Sequence, residues 1–197
     1  AQVYAADVEH RVAHHGDAAL PRAAAGAVAH EIALPADPLG STLVFERNGL
    51  RVTMFRVDHT PVTPAVGYRF DYRGRSVVVS GDTRKSPSLI ANARGADILV
   101  HEALQPDMVR RVPRVAREIG ASASGDILDY HASPVDAAES AREAGVRHLV
   151  LTHLVPAPSN MLTRRMFLAG AGDAFTGEVT LGEDGALFVL PPADSPH

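Results

Sequence analysis

The sequence of 197 residues contains no cysteine. Disulfide frameworks and thiolate metal sites are therefore excluded, and any bound metal has to be held by His, Asp and Glu. Ten histidines are present to serve. Long apolar runs are missing too: nothing approaches the about 20 residues of a membrane-spanning helix. There is no excess of positive charge, since 19 Lys and Arg face 23 Asp and Glu for a net charge of −4. No overall field therefore draws the chain to nucleic acid. The local run Arg110, Arg111, Arg114 and Arg117 falls on one expected helix and reads as a solvated face. The opening Ala1-Gln2-Val3-Tyr4 has no initiator methionine, no basic region and no long apolar region. We expect a processed or truncated chain, with the cytoplasm as the favoured compartment and room for a targeting signal upstream.

What is present fits an ordinary folded domain, with 46% hydrophobic and 21% charged residues. A short helix is expected over 4–15, and residues 16–41, rich in Ala, Gly and Pro, read mostly as loop. Two hairpins follow. Strand-like runs at 42–45 and 50–57 flank Arg47-Asn48-Gly49, and runs at 65–72 and 76–80 flank Arg73-Gly74-Arg75. A helix at 86–94 precedes an apolar strand at 97–100, and helices are expected over 107–119 and 134–144. The last of these has a clear start in Ser133, Pro134 and Asp136, and a stop in Gly145. A strand at 148–152 and a closing hairpin, 178–182 with 186–190, complete the pattern, leaving 191–197 as a frayed tail. Strands first and then strand alternating with helix indicate a sheet layered against helices, an α/β fold of one domain over 1–197.

Four apolar strands end in chemistry. Val52 to Val57 leads to Asp58-His59, Val77 to Ser80 to Gly81-Asp82-Thr83, Ile98 to Val100 to His101-Glu102-Ala103, and Leu149 to Thr152 to His153. Tyr130-His131-Ala132-Ser133 adds a fifth polar cluster before a helix. Taken singly, a histidine after a strand is more often a satisfied rim residue, and Asp82 fits a turn. As a set they are costly to place beside a core unless paired or coordinated, and strand ends converging on one sheet edge make a rigid site. His14-His15, being adjacent, point apart, and His10, His30, His148 and His197 read as surface or structural residues.

In this order, Val57-Asp58-His59, Gly67-Tyr68-Arg69-Phe70, Ser80-Gly81-Asp82-Thr83, His101-Glu102-Ala103, His131-Ala132-Ser133 and Leu151-Thr152-His153-Leu154 resemble the ribonuclease Z and arylsulfatase-like branch of the metallo-β-lactamase superfamily. The resemblance covers roughly residues 42–190. It implies an αββα sandwich and a site for two zinc ions, Zn2+, that activate a water. By resemblance, His59 and His153 each ligate one ion and Asp82 bridges both, with a part in catalysis. Glu102 and His131 form the pair outside the metal shell, the carboxylate orienting an imidazolium that protonates the leaving oxygen. His101 supports the site. Where the family has His-Ser-Thr, this chain has His131-Ala132-Ser133, with the histidine kept.

The family's main signature, His-x-His-x-Asp-His, is absent from the sequence. Each ion is left with two protein ligands, short of the three or four of stable zinc sites. We therefore expect an N-terminally incomplete sandwich, a piece of a longer gene product, with an apolar sheet face uncovered and little activity alone. The expected reaction is hydrolysis of a small-molecule ester, arylsulfatase-like or a phosphodiester. The negative charge and the short His59-to-Asp82 stretch weigh against the alternative, a tRNA 3′-processing ribonuclease Z-like nuclease, so nucleic acid is not the favoured partner. A second alternative is a non-catalytic interaction module of the same fold. No membrane partner is expected, and a homodimer is compatible with the reading. Residues 155–177, with Pro156, Pro158, Met161, Phe167 and Phe175, suit a pocket wall or core packing equally.

Overall fold

The computed structural model describes residues 5–16, 18–19, 30–111 and 127–193. The chain divides into two compact units, Ala1–Ala33 and Leu34–His197. In the first, helix α1 (Ala5–His15) buries none of its residues. An Asp7–Arg11 ion pair of 2.9 Å, one turn apart, ties its surface. No helix among the described residues is long and apolar enough to cross a membrane.

The second unit is built on a seven-stranded sheet whose strands lie in sequence order. They are β1 (Ser41–Arg47), β2 (Leu50–Arg56), β3 (Val66–Tyr72), β4 (Arg75–Val79), β5 (Ile98–Leu104), β6 (His148–Val155) and β7 (Glu178–Leu181). Both expected early hairpins form. Their two-residue turns, Asn48-Gly49 and Arg73-Gly74, take positive φ at both positions, which matches the twist of the flanking strands. From β1 to β4 the pairing is antiparallel, and from β4 to β7 it is parallel. Parallel strands require crossovers, and helices supply them: α2 (Pro87–Asn92), α3 (Pro106–Arg111), α4 (Pro134–Ala144), α5 (Met161–Phe167) and α6 (Ala171–Ala174).

One sheet face is closed by these helices. Phe55, Val78, Leu99, Leu149 and Leu151 from the strands pack with Leu89 of α2, Ala137, Ala138 and Ala141 of α4 and Phe167 of α5, in a single buried core. Each large apolar side chain fully buried there contributes about 1.5–3 kcal/mol. The alanines let α4 approach the sheet closely. Its ends are those expected: Ser133 and Asp136 form a reciprocal capping box, and Gly145 closes the helix in the left-handed conformation, φ 66°. The other face carries Tyr68, Phe70 and Tyr72 in alternation, all exposed. A groove of about 540 Å3, lined by Phe70, Tyr72, Val77, Ile98 and Phe188 among others, runs along it.

One expectation needs correction, and two others are narrowed. The helix expected over 107–119 is seen as Pro106–Arg111, and the rest of that range, with Arg114 and Arg117, lies outside the described residues. Residues 186–190 form no strand. They are mostly exposed: Phe188 sets its ring edge-on to His148, and the following Pro191 carbonyl accepts from Arg75 Nε at 2.7 Å. Within 155–177 the chain folds into α5 and α6, with Phe167 and Phe175 in the core and Met161 exposed.

Candidate active site

Because β3 runs against both of its neighbours, strands β2, β4, β5 and β6 all point the same way. Their C-terminal ends share one sheet edge, and the residues expected from the sequence are delivered there. Two of the joints are made by small residues. At Gly81 φ is +64°, and a Cβ would sit 2.5 Å from the Val66 carbonyl oxygen, so only glycine lets β4 turn tightly into Asp82. The fully buried Thr83 then links three strand ends. Its hydroxyl accepts from the Asp58 amide at 3.1 Å and lies 2.8 Å from the Arg84 carbonyl, while its own amide donates to Glu102 Oε1 at 3.0 Å.

Asp58 shapes the turn that carries His59. Its carboxylate accepts from the Thr60 hydroxyl at 2.8 Å and the Thr60 amide at 3.2 Å. The Thr60 hydroxyl, helped by that amide and by Arg84, holds the Asp58 carboxyl below its ordinary range against the opposing effect of burial. His59 is mostly buried, and its Nδ1–H donates to the Tyr130 carbonyl at 2.9 Å. Lys85 ties the Asp82 loop to α4 through two contacts of 2.7 Å, with Glu139 and Glu143. These hydrogen bonds raise the Lys85 ammonium above its ordinary value.

Glu102 is buried, 1% exposed, and its Oε1 takes three donors: His131 Nδ1–H at 2.7 Å, the Thr83 amide at 3.0 Å and the Ala132 amide at 3.3 Å. Burial alone would push the His131 imidazolium down. The Glu102 hydrogen bond and charge, with the charge of Asp82, outweigh it, and His131 holds its proton above the ordinary histidine value. His101 is fully buried and donates from Nδ1 to the Glu102 carbonyl at 2.7 Å. Burial pushes its imidazole down, so it stays neutral within the fold.

His153 is placed by a feature the sequence did not disclose. Opposite Glu102 and Ala103 of β5 stand Thr152 and Leu154 of β6, so His153 is the extra residue of a β-bulge. It takes φ 47°, left-handed for a side chain other than glycine, and is half exposed. The bulge re-aims the imidazole toward the edge, where it stacks on His131 at 5.5 Å and 14° and approaches Asp82 Oδ2 to 3.9 Å. Left-handed backbone at such a residue costs about 1–2 kcal/mol, partly offset in a glycine variant by about 0.5–1 kcal/mol of chain entropy. His153→Gly is therefore expected to be more stable than His153→Ala by about 1 kcal/mol in urea unfolding. Equal stabilities would show that the fold does not impose the strained backbone.

The five predicted site residues thus gather at one edge. His59 and His131 have ring centroids 4.9 Å apart. Among the described residues the three-donor cluster is Glu102, His131 and His153, whose donor atoms lie within 4.8 Å of one another. Glu102 Oε1 is already occupied by three N–H groups, an arrangement that orients His131, whereas its Oε2 is buried without a hydrogen-bond partner. Other donors with capacity left are His59 Nε2, the Asp82 carboxylate and the His153 imidazole. Neutral imidazole and carboxylate are the ligand types that suit zinc and similar divalent ions. Sequence reading named Thr83 and Tyr130 within their motifs without the linking role of the first or the carbonyl of the second, which holds His59. Neither bears a metal-ligating group, which was the signal followed.

Residues 2–154 match the family model described as the beta-lactamase superfamily domain. The chain belongs to this superfamily. Its relatives include ribonuclease Z of Mycobacterium tuberculosis, 37% identical over 180 residues, which cover 90% of this chain and 59% of that protein. Ribonuclease Z of Mycobacterium avium is likewise 37% identical, over 178 residues covering 90% of this chain and 57% of that protein. The chain therefore spans less than two thirds of the length of these relatives. Among solved structures, the metallo-beta-lactamase fold protein YhfI of Bacillus subtilis aligns with a TM-score of 0.53 at 25% identity, covering 76% of this chain and 52% of that one. The short form of human tRNase Z aligns with a TM-score of 0.52 at 24% identity, over 80% of this chain and 48% of that one. The metallo-β-lactamase fold expected from the strand-end motifs is the fold of this superfamily member. The named relatives agree with the ribonuclease Z alternative and not with the arylsulfatase-like reading.

Proposed function

We propose that this chain is the catalytic-edge portion of a metal-dependent phosphodiesterase of the ribonuclease Z kind, acting on RNA. The observation that carries the reading is the Glu102–His131 pair. A buried carboxylate holds an imidazole by a 2.7 Å hydrogen bond, raises its proton affinity and leaves Nε2 for a leaving oxygen. His59, Asp82 and His153, the last two 3.9 Å apart, would hold the metal in this reading. When bound, the metal supplies a hydroxide near neutral pH. His131 in its imidazolium form gives its proton to the oxygen released from phosphorus, and Glu102 holds the ring in register through the transfer. His59, Asp82 and His153 would give each of two ions two ligands in this reading, short of the three or four of a stable zinc site.

The ribonuclease Z-like reading replaces the small-ester one for a physical reason. A net charge of −4 over part of an enzyme does not report the local field at a phosphate-binding edge, because phosphate contacts are made residue by residue. The decisive experiment pairs metal content by plasma emission with cleavage of a 3′-extended precursor tRNA, an aryl sulfate and a simple ester. It is run on the 197-residue chain and on versions extended upstream in the reading frame. We expect weak zinc binding and no turnover for the 197-residue chain, and two zinc ions with RNA cleavage once the ligand set is complete. Sulfate or carboxylic-ester turnover without RNA cleavage would overturn the substrate, and metal-free protein in every version would favour a non-catalytic chain of this fold.

A further inference from the structure

Tyr130 lies between a single 3-10 turn (Ile127–Asp129) and α4, beside the two histidines with different tasks. Its carbonyl is 2.9 Å from His59 Nδ1. A carbonyl can only accept, so Nδ1 carries the hydrogen and Nε2 presents its lone pair, the tautomer a metal requires. In water an unrestrained imidazole prefers the other one. The Tyr130 ring meets His59 edge-on, centroids 5.0 Å apart at 86°, and His131 at 5.0 Å and 49°. It is also anchored, packing against a small second core of Leu104, Val109 and Ile127. Among the described residues its hydroxyl makes no hydrogen bond.

We infer that Tyr130 is a positioning residue for both halves of the site: its ring, seated in the second core, pins its own carbonyl on His59 Nδ1 and wedges His131 against Glu102. The inference rests on the proposed roles of His59 and His131. A plain core aromatic would fill the same volume, but it would have no bearing on which nitrogen of His59 carries the proton. The aromatic body is the working part, and the hydroxyl contributes nothing.

The test is long-range 1H–15N NMR of the metal-free 197-residue chain, at a pH where the imidazoles are neutral, together with zinc titration. Wild type and Tyr130→Phe are expected to show His59 as the Nδ1–H tautomer. Tyr130→Ala is expected to shift it toward the Nε2–H form and to weaken zinc by about 10–100-fold, the usual cost of losing an outer-shell partner. Tyr130→Leu, which keeps apolar volume for the second core, serves if the alanine variant does not fold, and is expected to show the same tautomer shift. Retention of Nδ1–H in the folded alanine or leucine variant, or a phenylalanine variant that behaves like alanine, would overturn the inference. Absence of RNA cleavage by the ligand-complete protein would refute the functional reading and leave the tautomer result unaffected, so the two failures are distinguishable.

Discussion

Glu102→Gln is expected to lower turnover by about 10²- to 10⁴-fold, the range of general acid catalysis, in a chain that remains folded. The amide oxygen can still accept from the Thr83 and Ala132 amides, which lie 3.0 and 3.3 Å from Oε1. The lost element is the negative charge that holds the proton on His131. Glu102→Ala removes the acceptor as well and leaves the Thr83 and Ala132 amides and His131 Nδ1–H without a partner in a buried place. Each unmet group costs about 1–3 kcal/mol, so the alanine variant is expected to lose a large part of its stability or fail to fold. The pH dependence follows from the direction of the His131 shift. Its folded-state proton affinity is raised, so its contribution is complete below the unfolded value near 6.5 and is lost as pH rises through the folded value. Urea unfolding from pH 6 upward should show that decline in the wild type and a weaker one in Glu102→Gln. Equal slopes would mean that Glu102 does not bind the His131 proton, and turnover unaffected by Glu102→Gln would remove the pair from the chemistry.

Much of this was legible in the sequence because the relevant signals are local. Asn48-Gly49 and Ser133-Pro134-Val135-Asp136 specify a turn and a helix start by their own backbone and side-chain preferences, and both appear where expected. The apolar runs Val77 to Val79, Ile98 to Val100 and Leu149 to Leu151 read as strands, and the parallel pairing of β4, β5 and β6 brings their polar terminators to one edge. What stayed hidden depends on partners distant in sequence. The bulge at His153 exists only in the register between β5 and β6, whose paired residues lie 50 or 51 apart along the chain. Tyr130 bonds His59 across 71 residues. Helix α5 did have a local signal, since Asn160 and Thr163 form a reciprocal cap, but the flanking Pro156, Pro158 and Gly170 read as loop. The run at 186–190 shows the reverse error: Ala186-Leu187-Phe188-Val189-Leu190 is wholly apolar and reads as a strand, yet it joins no ladder and stays mostly exposed.

Asp82→Ala is expected to separate function from stability in the direction opposite to Glu102. Among the described residues no hydrogen bond fixes the Asp82 carboxylate; it is half exposed, and its neighbour His153 stands 3.9 Å away. Removing so exposed and unbonded a group should change stability by no more than about 0.5 kcal/mol. A carboxylate held at a strand end by Gly81, turned toward two histidines and left without a hydrogen-bond partner, has its acceptor capacity free for a cation. If it serves both ions, its loss takes a ligand from each. Metal content and turnover of the ligand-complete protein should then fall by more than the about 10–100-fold that follows loss of an outer-shell partner. Asp82→Asn, equal in shape but neutral, should fail nearly as badly, because a bridging position depends on anionic charge. The check is zinc content and RNA cleavage beside urea unfolding for the three proteins. An alanine variant that keeps both ions and turns over normally would reject the bridging role, whereas one that unfolds would show that Asp82 holds the edge together instead of serving the metal. The two carboxylates divide the work: Glu102 is buried and holds a proton in place through Oε1, while Asp82 is open, makes no hydrogen bond among the described residues and is available to a cation.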